Sequence, residues 1–364
     1  MKIKTYILAV FSLISVVSCQ KIVEFDIDEI PSQMVLNSLP SDGNQMFVNF
    51  AYSRFFLDTN AGRGVADIDM QLNVTSLGGV ASTYRPASRD RNNYFFPYTP
   101  VGGDSLNISI KAGGKTVEAA TRIPKPLQVE NFATVNSWEM GMTGNDTVLN
   151  MCFVTIDMTD YADEDNYYYI RLEERDSGSY FSDLLQDLDT IDTVYYNMMF
   201  MCWNNKLTSP DVLVSSPMLV LPQGYTIYDR LIFKDNLIAG TKQKLGIILP
   251  ILVDTNEVRG YKHEFTFHIE SIRPERVKYL LDVATATGLT SMFAEPAGLY
   301  SNVSIDGKQG LGLFSGVSHR KFSFVIDPWP YPENIPSASK TVGVGLPSEV
   351  LMEFYRVAKQ RYRK

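Results

Sequence analysis

The stretch "VADIDMQLNV", which runs from Val65 to Val74, decides the fold class because its side chains alternate in character. Ile68, Met70, Leu72 and Val74 would lie on one face of a strand, and Asp, Gln and Asn occupy the positions between them. A period of two residues is typical of a β-strand with one buried face. The stretch therefore predicts a strand in a half-buried sheet.

Two hairpins are predicted around this strand, because turn residues separate further alternating runs. The paired runs are Met34–Leu39 with Met46–Tyr52, and Leu106–Ile110 with Thr116–Ala120. Several short strands in one segment predict an immunoglobulin-like β-sandwich over residues 33–123. It is expected to end at Ile123-Pro124-Lys125-Pro126, since two prolines in three residues interrupt a strand ladder.

Residues 127–364 are predicted to form a larger β-rich domain with one or two helices, so the chain as a whole is expected to be mainly β. Pro274 and the apolar pattern after it predict a helix near 274–287. A C-terminal helix is predicted near 348–362, with acidic residues early and basic residues late. The candidate strands are Val148–Asp157, Tyr167–Glu173, Tyr195–Trp203, Leu231–Asp235, Lys244–Val253, His263–Glu270 and Lys321–Ile326.

The N-terminus carries a targeting pattern. Lys2 and Lys4 precede an uncharged run that is shorter than the roughly 20 apolar residues of a membrane-spanning helix. Residues 1–18 are therefore predicted to be a signal peptide. The residues before Cys19 resemble a bacterial lipobox, which predicts acylation of the Cys19 sulfur. A secreted protein that is cut nearby is the alternative.

The residues that follow Cys19 predict where the protein is held. Residues 19–32 would form a lipidated tether that anchors the chain in the outer membrane. The tether turns acidic within a few residues, and in Bacteroidota an acidic stretch after an acylated cysteine is associated with export to the cell surface. A position on the cell surface is therefore expected, and the periplasmic face is the alternative.

The charge of the chain argues against one class of partner. Removing residues 1–18 takes away Lys2 and Lys4 and no acidic residue, so the formal net charge changes from −8 to −10. A protein this acidic lacks the basic surface that nucleic acid requires. No nucleic-acid partner is therefore expected.

The two remaining cysteines, Cys152 and Cys202, alternate with apolar neighbours. This pattern predicts two buried thiols. A disulfide between them is the alternative, because the predicted compartment is oxidising.

Motifs that suggest chemistry are incomplete, so no catalytic residue, metal site or cofactor is predicted. Gly114-Lys115-Thr116 follows a hairpin turn, whereas a phosphate loop needs a strand before it and a helix after it. His263 and His268 would point to opposite faces of one strand and could not share a metal ion. The acidic residues from Asp160 to Asp165 lack the glycine and terminal glutamate of a calcium loop, which favours a solvated turn.

The glycine-rich stretch "DGKQGLGLFSG", Asp306 to Gly316, also looks like a phosphate loop. No helix is predicted after Gly316, so the glycines need another explanation. Glycine in a strand commonly marks a bulge or a close backbone approach. A turn at Asp306-Gly307 and a closely packed strand at Gly310–Phe314 are therefore predicted.

Aromatic residues are the candidate ligand-binding groups. Trp329 and Tyr331 lie in a proline-rich loop that would present their rings to a glycan or a peptide. Trp203 follows a predicted strand and would serve in the same way. Burial against the core is the alternative for each of these three residues.

Four segments in a fixed order carry a family resemblance. They are Met34–Ser38 with Tyr52-Ser53-Arg54, Asp160 leading into Asn166-Tyr167-Tyr168, Phe233-Lys234-Asp235, and Phe293–Phe314 with its Ser301-Asn302-Val303 and Gly310–Phe314 steps. Over nearly its whole length the chain resembles a Bacteroidota outer-membrane lipoprotein family, domain of unknown function 4249. The resemblance implies a protein that is often encoded beside a TonB-dependent transporter and that has no established activity or functional residues.

The expected function follows from this resemblance and from the N-terminus. We expect a non-enzymatic accessory or ligand-capture protein of a TonB-dependent outer-membrane receptor. An adhesin or a structural protein of the cell envelope is the alternative. A hydrolase is a third hypothesis, which would require two carboxylates about 5–10 Å apart in a cleft.

Overall fold

The computed structural model describes most of the chain from residue 32 onward. The described residues are 32–53, 65–140, 148–161, 163–182, 187–197, 200–202, 212–213, 219–220, 226–234, 240–251, 262–287, 298–326, 350, 352–354 and 356–358. The predicted signal peptide and Cys19 lie outside them, as do Trp203, Trp329 and Tyr331. The described residues are mainly in β-strands, so the predicted fold class is confirmed.

The first eight strands follow the hairpin pattern expected from the sequence. They are β1 (Met34–Ser38), β2 (Phe47–Tyr52), β3 (Asp69–Thr75), β4 (Ala81–Tyr84), β5 (Ser88–Asp90), β6 (Asn93–Phe95), β7 (Ser105–Ala112) and β8 (Lys115–Arg122).

The next eleven strands belong to the second part of the chain and are followed by a helix. They are β9 (Gln128–Met140), β10 (Val148–Thr159), β11 (Tyr167–Ser182), β12 (Asp187–Asn197), β13 (Phe200–Cys202), β14 (Val212–Leu213), β15 (Leu219–Val220), β16 (Thr226–Tyr228), β17 (Arg230–Lys234), β18 (Lys242–Ile251) and β19 (Lys262–Ile272), followed by α1 (Pro274–Thr287).

Four more strands and a C-terminal helix complete the described elements. The strands are β20 (Ser304–Ile305), β21 (Lys308–Gln309), β22 (Leu311–Phe314) and β23 (Val317–Ile326). Residues 350, 352–354 and 356–358 are helical and form α2. Val350, Phe354 and Ala358 are buried at four-residue intervals, which is the spacing of one helix face.

Two sheets face each other in the first sandwich. Their strand orders are β22-β1-β2-β6-β5 and β21-β20-β8-β7-β3-β4. Met70, Leu72 and Val74 of β3 are buried, as the period-two pattern predicts. β1 pairs with β2, and β7 pairs with β8 through a two-residue Gly-Gly turn, so both predicted hairpins are confirmed.

The glycine-rich stretch completes this first sandwich, although it lies within residues 127–364, which were predicted to form the second domain. β22 pairs in parallel with β1, and β20 pairs with β8. Gly312 has a φ of 116°, and a Cβ at this position would collide with the Leu36 carbonyl. Glycine is therefore required where two backbones meet, and the predicted turn and close packing are confirmed.

Two further sheets form the second sandwich, with strand orders β15-β16-β13-β18-β10-β9 and β14-β17-β11-β19-β23, and with β12 paired to β11. Their shared core includes Tyr168, Phe233, Leu249 and Phe267. Among the described residues, no helix is both long enough and apolar enough to cross a membrane.

The structure differs from the predicted strands at two places. The predicted strand Tyr195–Trp203 is wrong, because β12 ends at Asn197 and pairs with β11, whereas β13 begins at Phe200 and pairs with β18. Apolar and polar residues alternate through this whole stretch of sequence, so the sequence pattern does not reveal that the chain passes from one sheet to the other.

β9 is absent from the predicted strands because its side chains do not keep a period of two. The register between β9 and β10 shifts at Asp157 and Met158. Such a bulge places Val129 and Phe132, three residues apart, against the same core.

Cys152 is a free thiol in the core of the second sandwich, and burial raises its pKa to about 12. In register, Cys152 is opposite Leu249 and Cys202 is opposite Ile247, so the central strand β18 separates the two cysteines. Strands two positions apart lie about 10 Å from each other, beyond the roughly 7 Å limit for a disulfide. The disulfide alternative is therefore wrong.

Candidate functional site

The outer face of the sheet β14-β17-β11-β19-β23 carries the candidate site. At one end of this face, helix α1 packs its Val277 against an apolar patch on the strands. The patch consists of Tyr169, Ile232, Ile272 and Val317. The helix therefore covers only part of the face, and the border of the covered part runs along the helix.

Charged and polar side chains line the face beyond that border. Arg230, Arg171, His268 and Lys321 are register partners on four adjacent strands. Side chains two residues apart on a strand share a face, so Tyr169, Glu270 and His319 form the next row toward the helix.

A cleft of about 380 Å³ opens where the charged rows meet the helix. We call it the arginine cleft. Its described lining consists of Tyr169, Arg171, Asp229, Arg230, Glu270, Arg276 and Leu280. Its volume lies in the range of small-molecule sites. Five of its seven described lining residues are charged, and Tyr169 and Leu280 supply the apolar part.

Glu270 holds two of the cleft arginines in place. Its side chain is only 9% exposed. One carboxylate oxygen is 2.8 Å from an Nη of Arg276, and the other is 3.8 Å from Nε of Arg171. The Arg276 guanidinium also lies 5.9 Å from the centre of the Tyr169 ring. Both contacts are ion pairs of a buried carboxylate, and the one with Arg276 is the closer.

A pair of stacked histidines lies beside the cleft. His268 Nε2 is 2.8 Å from Glu173 Oε2, and His268 Nδ1 is 3.0 Å from His319 Nε2. Because the carboxylate accepts a hydrogen bond from Nε2–H, Nδ1 of the neutral ring is the acceptor for the His319 N–H. Burial lowers the pKa of both rings, that of His319 to about 4, so both are neutral at pH 7.

The prediction that His263 and His268 point to opposite faces is confirmed. His263 is buried on the core side, with Nδ1 2.7 Å from Glu174 Oε1. The pairing of His268 with His319 was not predicted, because the expected strand began at Lys321 and left His319 outside it. Among the described residues, no three His, Cys, Asp or Glu side chains form a group that could hold a metal ion.

The acidic turn before β11 is not the solvated turn that the sequence suggested, because Glu164 is buried within it. Glu164 Oε2 accepts hydrogen bonds from the Lys125 backbone N–H and the Asn166 side chain, both at 2.9 Å. Its other oxygen is 3.6 Å from Arg122 and 3.9 Å from the Lys125 ammonium. We call these four residues the junction cluster, since they join the first sandwich to the second.

The sequence-based candidates Trp203, Trp329 and Tyr331 lie outside the described residues, and so does Cys19. Their roles therefore stay predictions. The arginine cleft was not predicted, because its residues come from β11, the start of β17, β19 and α1. Only the alternation of Arg171 and Glu173 along β11 could have indicated a charged outer face.

Comparisons with solved structures give low similarity. A DUF4785 family protein from Legionella pneumophila shares 9% identity with this chain. The match covers 65% of this chain and 50% of that one, with a TM-score of 0.22. The Enterococcus faecalis MSCRAMM ACE shares 9% identity over 79% of this chain and 96% of that one, with a TM-score of 0.17.

The B domain of a biofilm associated protein shares 8% identity over 79% of this chain and 85% of that one, with a TM-score of 0.14. The sequence matches no curated protein. It does match one family over residues 20–323, most of its length. The chain belongs to the family described as domain of unknown function (DUF4249).

Proposed function

We propose that the protein is a non-enzymatic lipoprotein of the outer membrane that captures a ligand for a TonB-dependent transporter. The lipobox-like sequence before Cys19 supports the lipid anchor, and the acidic tether supports exposure at the cell surface. The resemblance to Bacteroidota lipoproteins supports the association with a transporter.

The arginine cleft is the observation that carries ligand capture. Two of its three guanidinium groups, those of Arg171 and Arg276, form ion pairs with the buried Glu270 carboxylate, and that of Arg276 also lies over the Tyr169 ring. Such pre-organised donors reduce the entropy lost when a ligand binds.

The same cleft favours binding over hydrolysis. Its two described carboxylates, Asp229 and Glu270, are each engaged by an arginine. A glycoside hydrolase needs one such group to donate a proton to the leaving group. An ion pair with arginine serves instead to hold the guanidinium in place.

Affinity purification from native outer membranes tests the transporter association. The acylated protein should bring down a β-barrel receptor after mild crosslinking. Cys19→Ala is the matched control, because it should lose incorporated fatty acid and leave the membrane fraction. Recovery of the acylated protein alone in repeated purifications would contradict the proposal. If cells that lack the gene for this protein then attached less well to a surface, the adhesin alternative would be favoured.

A further inference from the structure

The arginines of the cleft have binding capacity that their protein partners leave unused. A guanidinium carries five N–H donors in one plane. Within the described part of the chain, Arg230 has one ion pair, at 3.5 Å from Asp229, and its side chain is 41% exposed. Arg276 is 12% exposed and directs one Nη to Glu270. Donors of both residues therefore remain for a ligand.

The charge of the cleft selects the kind of ligand. Its described lining has three arginines and two carboxylates, and the neighbouring Glu173 and Lys321 add one charge of each sign, which leaves one positive charge. The neighbouring His268 and His319 add no charge at neutral pH. One uncompensated positive charge matches a single carboxylate better than a phosphate monoester, which carries nearly two negative charges at neutral pH.

The shape of the donors fits a carboxylate, as it would also fit a phosphate. The planar fork of a guanidinium pairs with both oxygens of a carboxylate, whereas an ammonium presents only a point charge. Tyr169 and Leu280 supply an apolar surface beside these donors. A ligand that joins one carboxylate to a hydrophobic or ring-shaped body would match both parts of the cleft.

We infer that the arginine cleft binds a small organic ligand through a single carboxylate, which Arg230 and Arg276 grip while Tyr169 and Leu280 contact its apolar body. Arg171 is not assigned to the carboxylate, because its guanidinium already contacts Glu173 and His268. The inference rests on the proposed function, because it names the class of ligand that this protein captures.

Titration of the purified full-length protein with benzoate tests the inference. Benzyl alcohol and phenyl phosphate serve as probes with the same ring and a different head group. Benzoate should raise the unfolding temperature in a saturable way and bind at least tenfold more tightly than either analogue. Equal binding of benzyl alcohol, tighter binding of phenyl phosphate or no binding of benzoate would overturn the inference.

Two arginine variants locate the site. Arg230→Ala should weaken benzoate binding about tenfold, because it removes one of the two guanidinium groups that bind the carboxylate. Arg175→Ala is the matched control, since Arg175 is 45% exposed and lies 3.6 Å from Glu264 on the same sheet. It should leave the affinity unchanged. An equal effect of the two substitutions, or no effect of Arg230→Ala, would overturn the assignment to this cleft.

The two proposals fail separately. If the receptor is recovered from membranes and benzoate does not bind, the carboxylate inference is wrong and the transporter association stands. If benzoate binds and no receptor is recovered, the cleft stands and the transporter association is wrong.

Discussion

Glu164 and Glu270 are both buried glutamates with two basic side chains nearby, but the groups that complete their surroundings differ. Glu164, in the junction cluster, accepts a hydrogen bond from the backbone N–H of Lys125 and another from Asn166. Glu270, in the arginine cleft, is bordered by Arg171 and Arg276, whose guanidinium groups also line an open volume. One carboxylate is enclosed by the chain, and the other supports donors that face outward.

This difference shows that a buried carboxylate has no fixed role. Where backbone and amide donors surround it, it links two parts of the fold, because the hydrogen bonds of one oxygen and the ion pairs of the other are made within the protein. Where arginines share it, each guanidinium keeps donors that point away from it, so the carboxylate positions a binding surface. The predictions below test this comparison.

Loss of the Glu164 carboxylate should have the largest effect. Glu164→Ala leaves the Lys125 backbone N–H and the Asn166 amide without their acceptor and removes the carboxylate beside Arg122, so the free energy of unfolding should fall by about 3–5 kcal/mol. Urea unfolding at pH 7 measures this loss. Asp163→Ala is the matched control, because exposed Asp163 bonds to the same lysine and should contribute far less. Equal losses would show that the junction does not depend on burial.

Substitution of Glu270 should affect both stability and binding. Glu270→Gln keeps the shape of the side chain and removes its charge, so we expect a loss of about 1–3 kcal/mol in the free energy of unfolding. Benzoate binding should weaken as well, since Arg276 loses the group that positions it. Glu164→Gln is the control and should leave benzoate affinity unchanged. If Glu270→Gln binds benzoate as the parent does, the positioning role is wrong.

Acidic pH should weaken the sheet beside the cleft. Burial holds the His319 pKa at about 4 in the folded protein, against 6.5 in an unfolded chain. Between these values only the unfolded state takes up the proton, so stability falls as the pH decreases from 6.5 to 4. Because His319 is partly exposed, we expect a contribution of about 1–2 kcal/mol.

Comparison of unfolding at pH 7 and pH 4.5 measures the contribution of His319. The groups around this ring are Glu270, His268, Lys321 and Arg171. His319→Gln should show a smaller drop than the parent, whereas Glu164→Gln should keep the full contribution of His319 because the junction cluster contains no histidine. An unchanged drop in His319→Gln would assign the effect to other groups.

The smallest effect on stability is expected at Thr121, which precedes Arg122 of the junction cluster in the chain. Thr121 donates to Glu275 of α1 at 3.0 Å and accepts from the Gly316 N–H at 2.8 Å. Thr121→Val keeps the shape and removes both bonds, which should cost about 1 kcal/mol in thermal or urea unfolding. Thr83→Val, which removes an exposed bond to Asn73, should cost less. A larger cost at Thr83 would contradict this order.

Much of the fold could be predicted because it depends on neighbours in the chain. The alternation in β3, the Gly-Gly turn between β7 and β8 and the pattern of α1 all act over fewer than about fifteen residues. The bulge that shifts β9 was not predictable in this way, because it is a relation between two strands. The partner of the glycine-rich strand was also unknown, although its need for close packing was visible.

The sequence by itself determined the β class, the helix at Pro274 and the need for glycine in the stretch that ends at Gly316, and lipidation at Cys19 stays a prediction from it. Only the tertiary structure decided that this stretch closes the first sandwich and that Arg171, Arg230 and Arg276 border one cleft. The reason is that local periodicity specifies which face a side chain takes on its own strand. Which strands lie side by side depends on pairing between distant segments, and local periodicity carries no record of that pairing.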